Sequence, residues 1–248
     1  MSPHSPLHGS FVALPTPFRD GTLDLRQLDA LIDYHAEVGT DGLLVCGTTG
    51  ESVTLTEFEQ RRLMRFAAEQ AAGRLPLMAG VGTNSTAETV QLAGYADEVG
   101  IDAILVVTPY YNKPSPNGLR LHYGEVAAAT ECPIFLYNNP GRTGCDLDPD
   151  LAAELAQTHE NIVAVKEAAP GLERARRHLA LGALVLPGSR VLPGSRPHRL
   201  RAGGGRGDRD AEDDAPDEVD SEHEGAQHDG VCGCTGRDRR ESGSIVGG

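Results

Sequence analysis

Ile134-Phe135-Leu136-Tyr137 and, one helix-length later, Ile162-Val163-Ala164-Val165-Lys166 are the stretches on which the reading of this chain turns. Apart from Lys166, which continues the second run, each is a short, continuously apolar run, the pattern of a strand buried on both faces of a parallel sheet. Between them residues 149–157 keep helical spacing, so the unit reads strand, crossover helix, strand. The same alternation continues outward. Upstream runs at 11–14, 42–46, 77–79 and 103–107 and a downstream run at 184–186 complete seven candidate strands.

The intervening segments carry helix signals. Asp24 is a good N-cap for the spaced apolar residues Leu25, Leu28, Leu31 and Ile32, and Gly39 follows as a stop. Thr56-Glu57-Phe58-Glu59 and Ser85-Thr86-Ala87-Glu88 both fit the capping box, in which side chain and backbone satisfy each other at a helix start. Further helices are expected over 117–130 and 172–181. The sum is about six βα units and a seventh strand, an α/β fold of the TIM (β/α)8-barrel type that is incomplete.

The pattern stops near residue 188. An exact tandem hexapeptide, Val185-Leu186-Pro187-Gly188-Ser189-Arg190 then Val191-Leu192-Pro193-Gly194-Ser195-Arg196, leads into a Gly/Arg/Asp/Glu-rich run to Gly248. After Pro197 there is no Phe, Tyr or Met. Such a composition buries too little apolar surface to offset the entropy of ordering. The domain division expected is therefore a barrel-type catalytic domain over 1–188 and a low-complexity tail over 189–248, disordered or the product of a reading-frame shift.

Bulk properties narrow the function classes. The chain has 248 residues and a formal net charge of −14, which argues against nucleic acid or an anionic membrane surface as partner. No apolar stretch approaches the roughly 20 residues needed to span a bilayer, and the N-terminus lacks the pattern of a signal peptide; a soluble cytoplasmic protein is expected. Cys46, Cys132 and Cys145 stand singly and are expected as reduced thiols, and the Cys232/Cys234 pair has no second pair at zinc spacing, so no metal is expected.

In parallel barrels the loops after the strands' C-terminal ends converge on one mouth. The unusual residues of this sequence lie there: Gly47-Thr48-Thr49-Gly50-Glu51-Ser52, Thr108-Pro109-Tyr110-Tyr111-Asn112, Tyr137-Asn138-Asn139-Pro140-Gly141-Arg142-Thr143-Gly144 and Lys166-Glu167-Ala168. A lysine continuing a buried strand has a depressed pKa, and its neutral amine attacks carbonyl carbon to give an imine. Taken alone, Lys166 reads equally well as an ammonium snorkelling to solvent. Thr48 and Thr49 suit a small carboxylate or a plain turn, Tyr137 a proton relay or a bonded core residue, and Arg142 a carboxylate clamp or a surface cation.

Together these four motifs resemble the dihydrodipicolinate synthase family, within the N-acetylneuraminate lyase superfamily of class I aldolases, in order and at similar separations over about residues 9–188. The resemblance implies that Lys166 forms a Schiff base with pyruvate, that Thr49 binds the pyruvate carboxylate, and that Thr48, Tyr111 and Tyr137 relay protons, with Tyr111 reaching into a neighbouring subunit of a homotetramer. It implies that Arg142 and Gly188 contact substrate, that the second substrate is L-aspartate 4-semialdehyde in lysine and diaminopimelate biosynthesis, and that no cofactor takes part. In lysine-inhibited members the effector site corresponds to Ser52, Asn84, Glu88 and Tyr110. Two alternatives stand beside this reading: a pyruvate-dependent lyase acting on N-acetylneuraminate or a 2-keto-3-deoxy sugar acid, and a non-catalytic truncated relic, since the seventh and eighth units of the family pattern do not continue.

Overall fold

The computed structural model describes residues 7 and 9–182 and the backbone of 184–187. The expectations for Gly188, the hexapeptide repeat, Cys232, Cys234 and the tail at 189–248 lie outside the described residues.

Among the described residues seven strands form one parallel sheet: β1 (Phe11–Ala13), β4 (Gly42–Val45), β5 (Leu77–Gly80), β6 (Ala103–Val107), β7 (Ile134–Asn138), β8 (Ile162–Glu167) and β9 (Leu184–Pro187), each paired with the next. Helices α1 (Leu25–Glu37), α2 (Glu57–Ala71), α3 (Thr86–Glu98), α4 (Pro116–Ala128), α6 (Pro149–Thr158) and α7 (Leu172–Ala180) make the crossovers. That is six βα units and a seventh strand, the incomplete (β/α)-barrel type anticipated from the alternation of patterns. None of the helices described is long and apolar enough to cross a membrane.

Three small elements add to the expected set. A hairpin of β2 (Phe18–Arg19) and β3 (Thr22–Leu23) turns at Asp20 and Gly21, both with positive φ (51° and 77°). This is the Asp-Gly signal for a two-residue turn whose twist matches the strands, and it was legible in the sequence. A single 3-10 turn occupies Ser52–Thr54, and a four-residue helix, α5 (Pro140–Thr143), follows β7.

Side-chain alternation divides the core into two layers. Leu43, Val45, Ala79, Ile104, Val106, Ile134, Leu136, Ile162 and Val165 face the helices. Leu44, Met78, Leu105, Phe135, Tyr137 and Ala164 face the opposite, inner side. Between β7 and β8 the alternation is interrupted: Ile134 pairs with Ile162 but Phe135 pairs with Ala164. Val163 is the residue left over, and it is 39% exposed. This one-residue shift reverses the phase of everything after it.

The capping signals behave differently from each other. At Thr56 the box is complete: its hydroxyl accepts from the Glu59 N–H at 3.3 Å and the Glu59 carboxylate accepts from the Thr56 N–H at 2.9 Å. Thr56→Ala is expected to cost about 1 kcal/mol, read as a lower urea midpoint with unchanged m-value. At Ser85 only half the expected box forms. Ser85 Oγ accepts from the Glu88 N–H, but the Glu88 carboxylate accepts instead from Thr83 Oγ1 at 3.2 Å, and Thr83 Oγ1 also accepts from the Ser85 N–H. Glu88 is thereby released from its capping role to face a cavity.

Candidate active site

The register shift at Val163 sets Lys166 directly beside Tyr137 on the inner face, as paired residues of adjacent parallel strands. The Lys166 Nζ lies 4.5 Å from the Tyr137 ring centroid, within cation–π range. Burial at the end of β8 pushes the Lys166 amine below the usual lysine range, with the Tyr137 phenol acting in the opposite direction. Lysine here is a partly desolvated base rather than a free surface cation. The Tyr137 hydroxyl accepts a hydrogen bond from Asn139 Nδ2 at 2.9 Å, which fixes the phenol and leaves its own proton free to be donated.

Tyr137 also lines a small cavity with Cys46, Gly47, Thr48, Ser52, Gly80, Gly82, Leu105 and Val107. Thr48 therefore shares a cavity wall with Tyr137, and both Thr48 and Thr49 are otherwise exposed. The loop holding both threonines is pinned at several points. Cys46 and Glu51 adopt left-handed backbone (φ 52° and 55°), the Gly50 carbonyl accepts from Thr16 Oγ1 at 2.6 Å, and the Ser52 carbonyl accepts from Gln60 Nε2 at 2.9 Å. Non-glycine residues at positive φ are sterically costly and persist where surrounding structure imposes them. Burial pushes the Cys46 thiol up to about 12, so it is no nucleophile.

Two expected residues face solvent within this chain. Tyr111 has φ 72° and is 88% exposed, its side chain presented outward. Arg142, in α5, is exposed as well. Both are carried by one joint: the Thr143 carbonyl accepts from the Tyr111 N–H, and buried Thr143 Oγ1 accepts from buried Thr108 Oγ1 at 3.1 Å. Nothing in the sequence marked Thr108 and Thr143 as a pair.

A second and larger cavity, of about 190 Å³, is lined by Ser52, Gln60, Glu57, Thr83, Glu88 and Tyr110 among others. Three of the four residues expected at an effector site thus come together, and Asn84 adjoins them: its backbone faces the Tyr110 hydroxyl and its carbonyl accepts from Asn112 Nδ2 at 3.0 Å. Burial first, then the Glu88 carboxylate, raises the Tyr110 phenol. This larger cavity is not the one lined by Tyr137, although the two share Ser52, Gly80 and Gly82.

One cluster went unread in the sequence. Asn138 and Glu167, one residue beyond Tyr137 and Lys166, pair across β7 and β8 on the helix-facing side. There they meet His178 and Arg174 of α7. The apolar runs end at 137 and 165, one and two residues short of the strands themselves, so no apolar pattern marks Asn138 and Glu167 as strand residues of the outer face.

A model of the dihydrodipicolinate synthetase family matches residues 6–194. The chain belongs to this family. Among curated family members, the 4-hydroxy-tetrahydrodipicolinate synthase of Trichlorobacter lovleyi is 50% identical over 173 residues, 70% of this chain and 59% of that protein. Among solved structures of the family, the dihydrodipicolinate synthase of Aquifex aeolicus superposes with a TM-score of 0.72 at 46% identity, covering 73% of this chain and 62% of that one. A chloride-inhibited dihydrodipicolinate synthase of Acinetobacter baumannii, in complex with pyruvate, gives 0.69 at 43% identity, covering 72% and 62%. The chain thus spans about three-fifths of the length of the dihydrodipicolinate synthetase family members it matches.

Proposed function

We propose that this chain is a 4-hydroxy-tetrahydrodipicolinate synthase, condensing pyruvate with L-aspartate 4-semialdehyde through an imine on Lys166. The observation that carries the reading is a desolvated amine held over the tyrosine ring at a barrel mouth, in a chain about half identical, over about 70% of its length, to proteins of that name. The Lys166 Nζ adds to the C2 carbonyl of pyruvate, and the carbinolamine loses water to give the imine. Loss of a C3 proton yields an enamine, whose carbon forms a bond to the aldehyde carbon of the semialdehyde while the aldehyde oxygen takes a proton to become the hydroxyl; the amine of the semialdehyde then displaces the Lys166 amine from the imine carbon, closing the ring and freeing the lysine. Tyr137 and Thr48 pass the protons these steps require.

Thr49 holds the pyruvate carboxylate, Arg142 that of the semialdehyde, and Gly188 a further substrate contact. The catalytic unit is residues 1–188, acting in the cytoplasm without a cofactor. Tyr111 completes the relay in a neighbouring copy of the chain within a homotetramer, which accounts for an 88% exposed tyrosine on a constrained backbone. Tyr111→Phe is therefore expected to leave stability within about 0.5 kcal/mol while lowering turnover in the assembled protein; urea denaturation and initial rates, measured on one preparation, separate the two. The acidic cavity at Ser52, Glu88 and Tyr110, with Asn84 beside it, is the place for feedback inhibition by lysine.

The test is borohydride reduction in the presence of pyruvate, followed by peptide mass spectrometry. A pyruvyl adduct on Lys166 is expected. A folded sample without one defeats the reading and favours the alternative of a non-catalytic relic. If the adduct forms but only sugar-acid substrates turn over, the chain is a lyase of the same superfamily.

A further inference from the structure

Burying a carboxylate is costly unless its oxygens are well supplied with donors. Glu167 is 7% exposed, on the face of β8 turned away from the reacting amine. Its oxygens accept from Asn138 Nδ2 at 3.0 and 3.2 Å, from the Ala169 N–H at 2.8 Å, from Arg174 Nε at 3.3 Å and from His178 Nε2 at 3.0 Å. Burial acts to raise its pKa, but the bonds from His178, Ala169 and Asn138 and the charge of Arg174 outweigh it, so the group stays ionised. With an ionised acceptor opposite, His178 Nε2 carries the proton. The donors then anchor elsewhere: Asn138 also donates to Asp146 at 3.0 Å and accepts from the Leu147 N–H, and Arg174 reaches Asp146 and the Leu147 carbonyl.

This clamp joins β7, β8, α7 and the loop after α5 at the level of Tyr137 and Lys166. We infer that Glu167 is a positioning residue, whose buried carboxylate holds the ends of β7 and β8 together so that the Lys166 amine stays over the Tyr137 ring. The inference rests on the imine reading of Lys166 given above. If the clamp served stability alone, its loss would lower the folded fraction and nothing else. As a positioning device it has a second consequence. Release of the β8 end lets Lys166 reach water, and its ammonium regains the solvation that burial denies it; among the described residues Tyr137 is the ionisable group whose charge bears on it. The neutral fraction of the amine falls, so imine formation slows and shifts to higher pH.

The rate of borohydride-trapped pyruvyl adduct on Lys166 is measured from roughly pH 6 to 10 for the wild type, Glu167→Gln and His178→Phe, each normalised to its folded fraction by circular dichroism. Glu167→Gln is expected to trap about tenfold more slowly at neutral pH with its profile displaced upward by about one unit, the two being the same change in neutral amine. His178→Phe removes one donor, keeps a ring in a fully buried site and moves the profile the same way by less; it decides the matter if Glu167→Gln does not fold. Wild-type rate and profile in the folded variants, or a loss only in proportion to folded fraction, overturns the inference. A wild type with no adduct at any pH overturns the imine reading itself, and this inference with it.

Discussion

Lys166→Met, treated with pyruvate and borohydride, yields no pyruvyl adduct at any pH, and its turnover falls by at least about a thousandfold, because a thioether cannot form the imine. Lys166→Arg behaves the same way despite keeping the charge, since a guanidinium does not form the imine. The methionine variant is expected to be more stable than the wild type at neutral pH. Burial lowers the amine's pKa in the folded chain, so between the folded and unfolded values the unfolded chain binds more protons and stability rises with pH. The cost of burying Lys166 is thus greatest below its folded pKa and disappears as pH rises toward the unfolded value. Urea midpoints should show the advantage of Lys166→Met at pH 7 shrinking by about pH 10.5. A variant less stable than wild type at pH 7 would mean that the contact with Tyr137 outweighs desolvation.

Gly80→Ala has the second large effect, and it is structural. A Cβ at Gly80 would sit 2.2 Å from the Cys46 carbonyl oxygen and 2.9 Å from its carbon, both backbone atoms that no rotamer change can remove. Cys46 is already left-handed, so the loop carrying Thr48 has no slack in which to retreat. The expected loss is about 3 kcal/mol or more, measured by urea denaturation, and both cavities should be disturbed because Gly80 lines each. Gly94→Ala is the control: in α3 its nearest atom is the Ala129 carbonyl oxygen at 3.8 Å, and it should gain about 0.5–1 kcal/mol from helix propensity. Equal behaviour of the two variants would refute the steric argument.

Much of the fold was legible because continuous apolar strands and capped amphipathic helices announce themselves locally. The seven sheet strands and six main helices lie where their patterns placed them, to within a few residues at the ends. The hairpin at Asp20-Gly21 carries an equally local signal, a two-residue turn of the Asp-Gly type. What failed at Ser85 was the inference from spacing to bonding: the serine caps, but Thr83 competes for the Glu88 carboxylate. A capping box is a pattern of types, and only the positions of neighbouring hydroxyls settle which partner a carboxylate takes.

The sequence by itself determined the chemistry available at the mouth: an amine at a strand's end, a tyrosine at the end of the preceding strand, and threonine, arginine and glycine in the loops. Only the tertiary structure decided which face the amine takes. Had β7 and β8 paired without the shift at Val163, Tyr137 would lie beside Val165 and Lys166 would point at the helices. Strand periodicity is two, so one extra residue exchanges the faces, and no local propensity records it. The Glu167 clamp escaped for a related reason: its donors come from β7, from the turn after β8 and from two turns of α7, and such groups become neighbours only when the sheet and its helices have closed on each other.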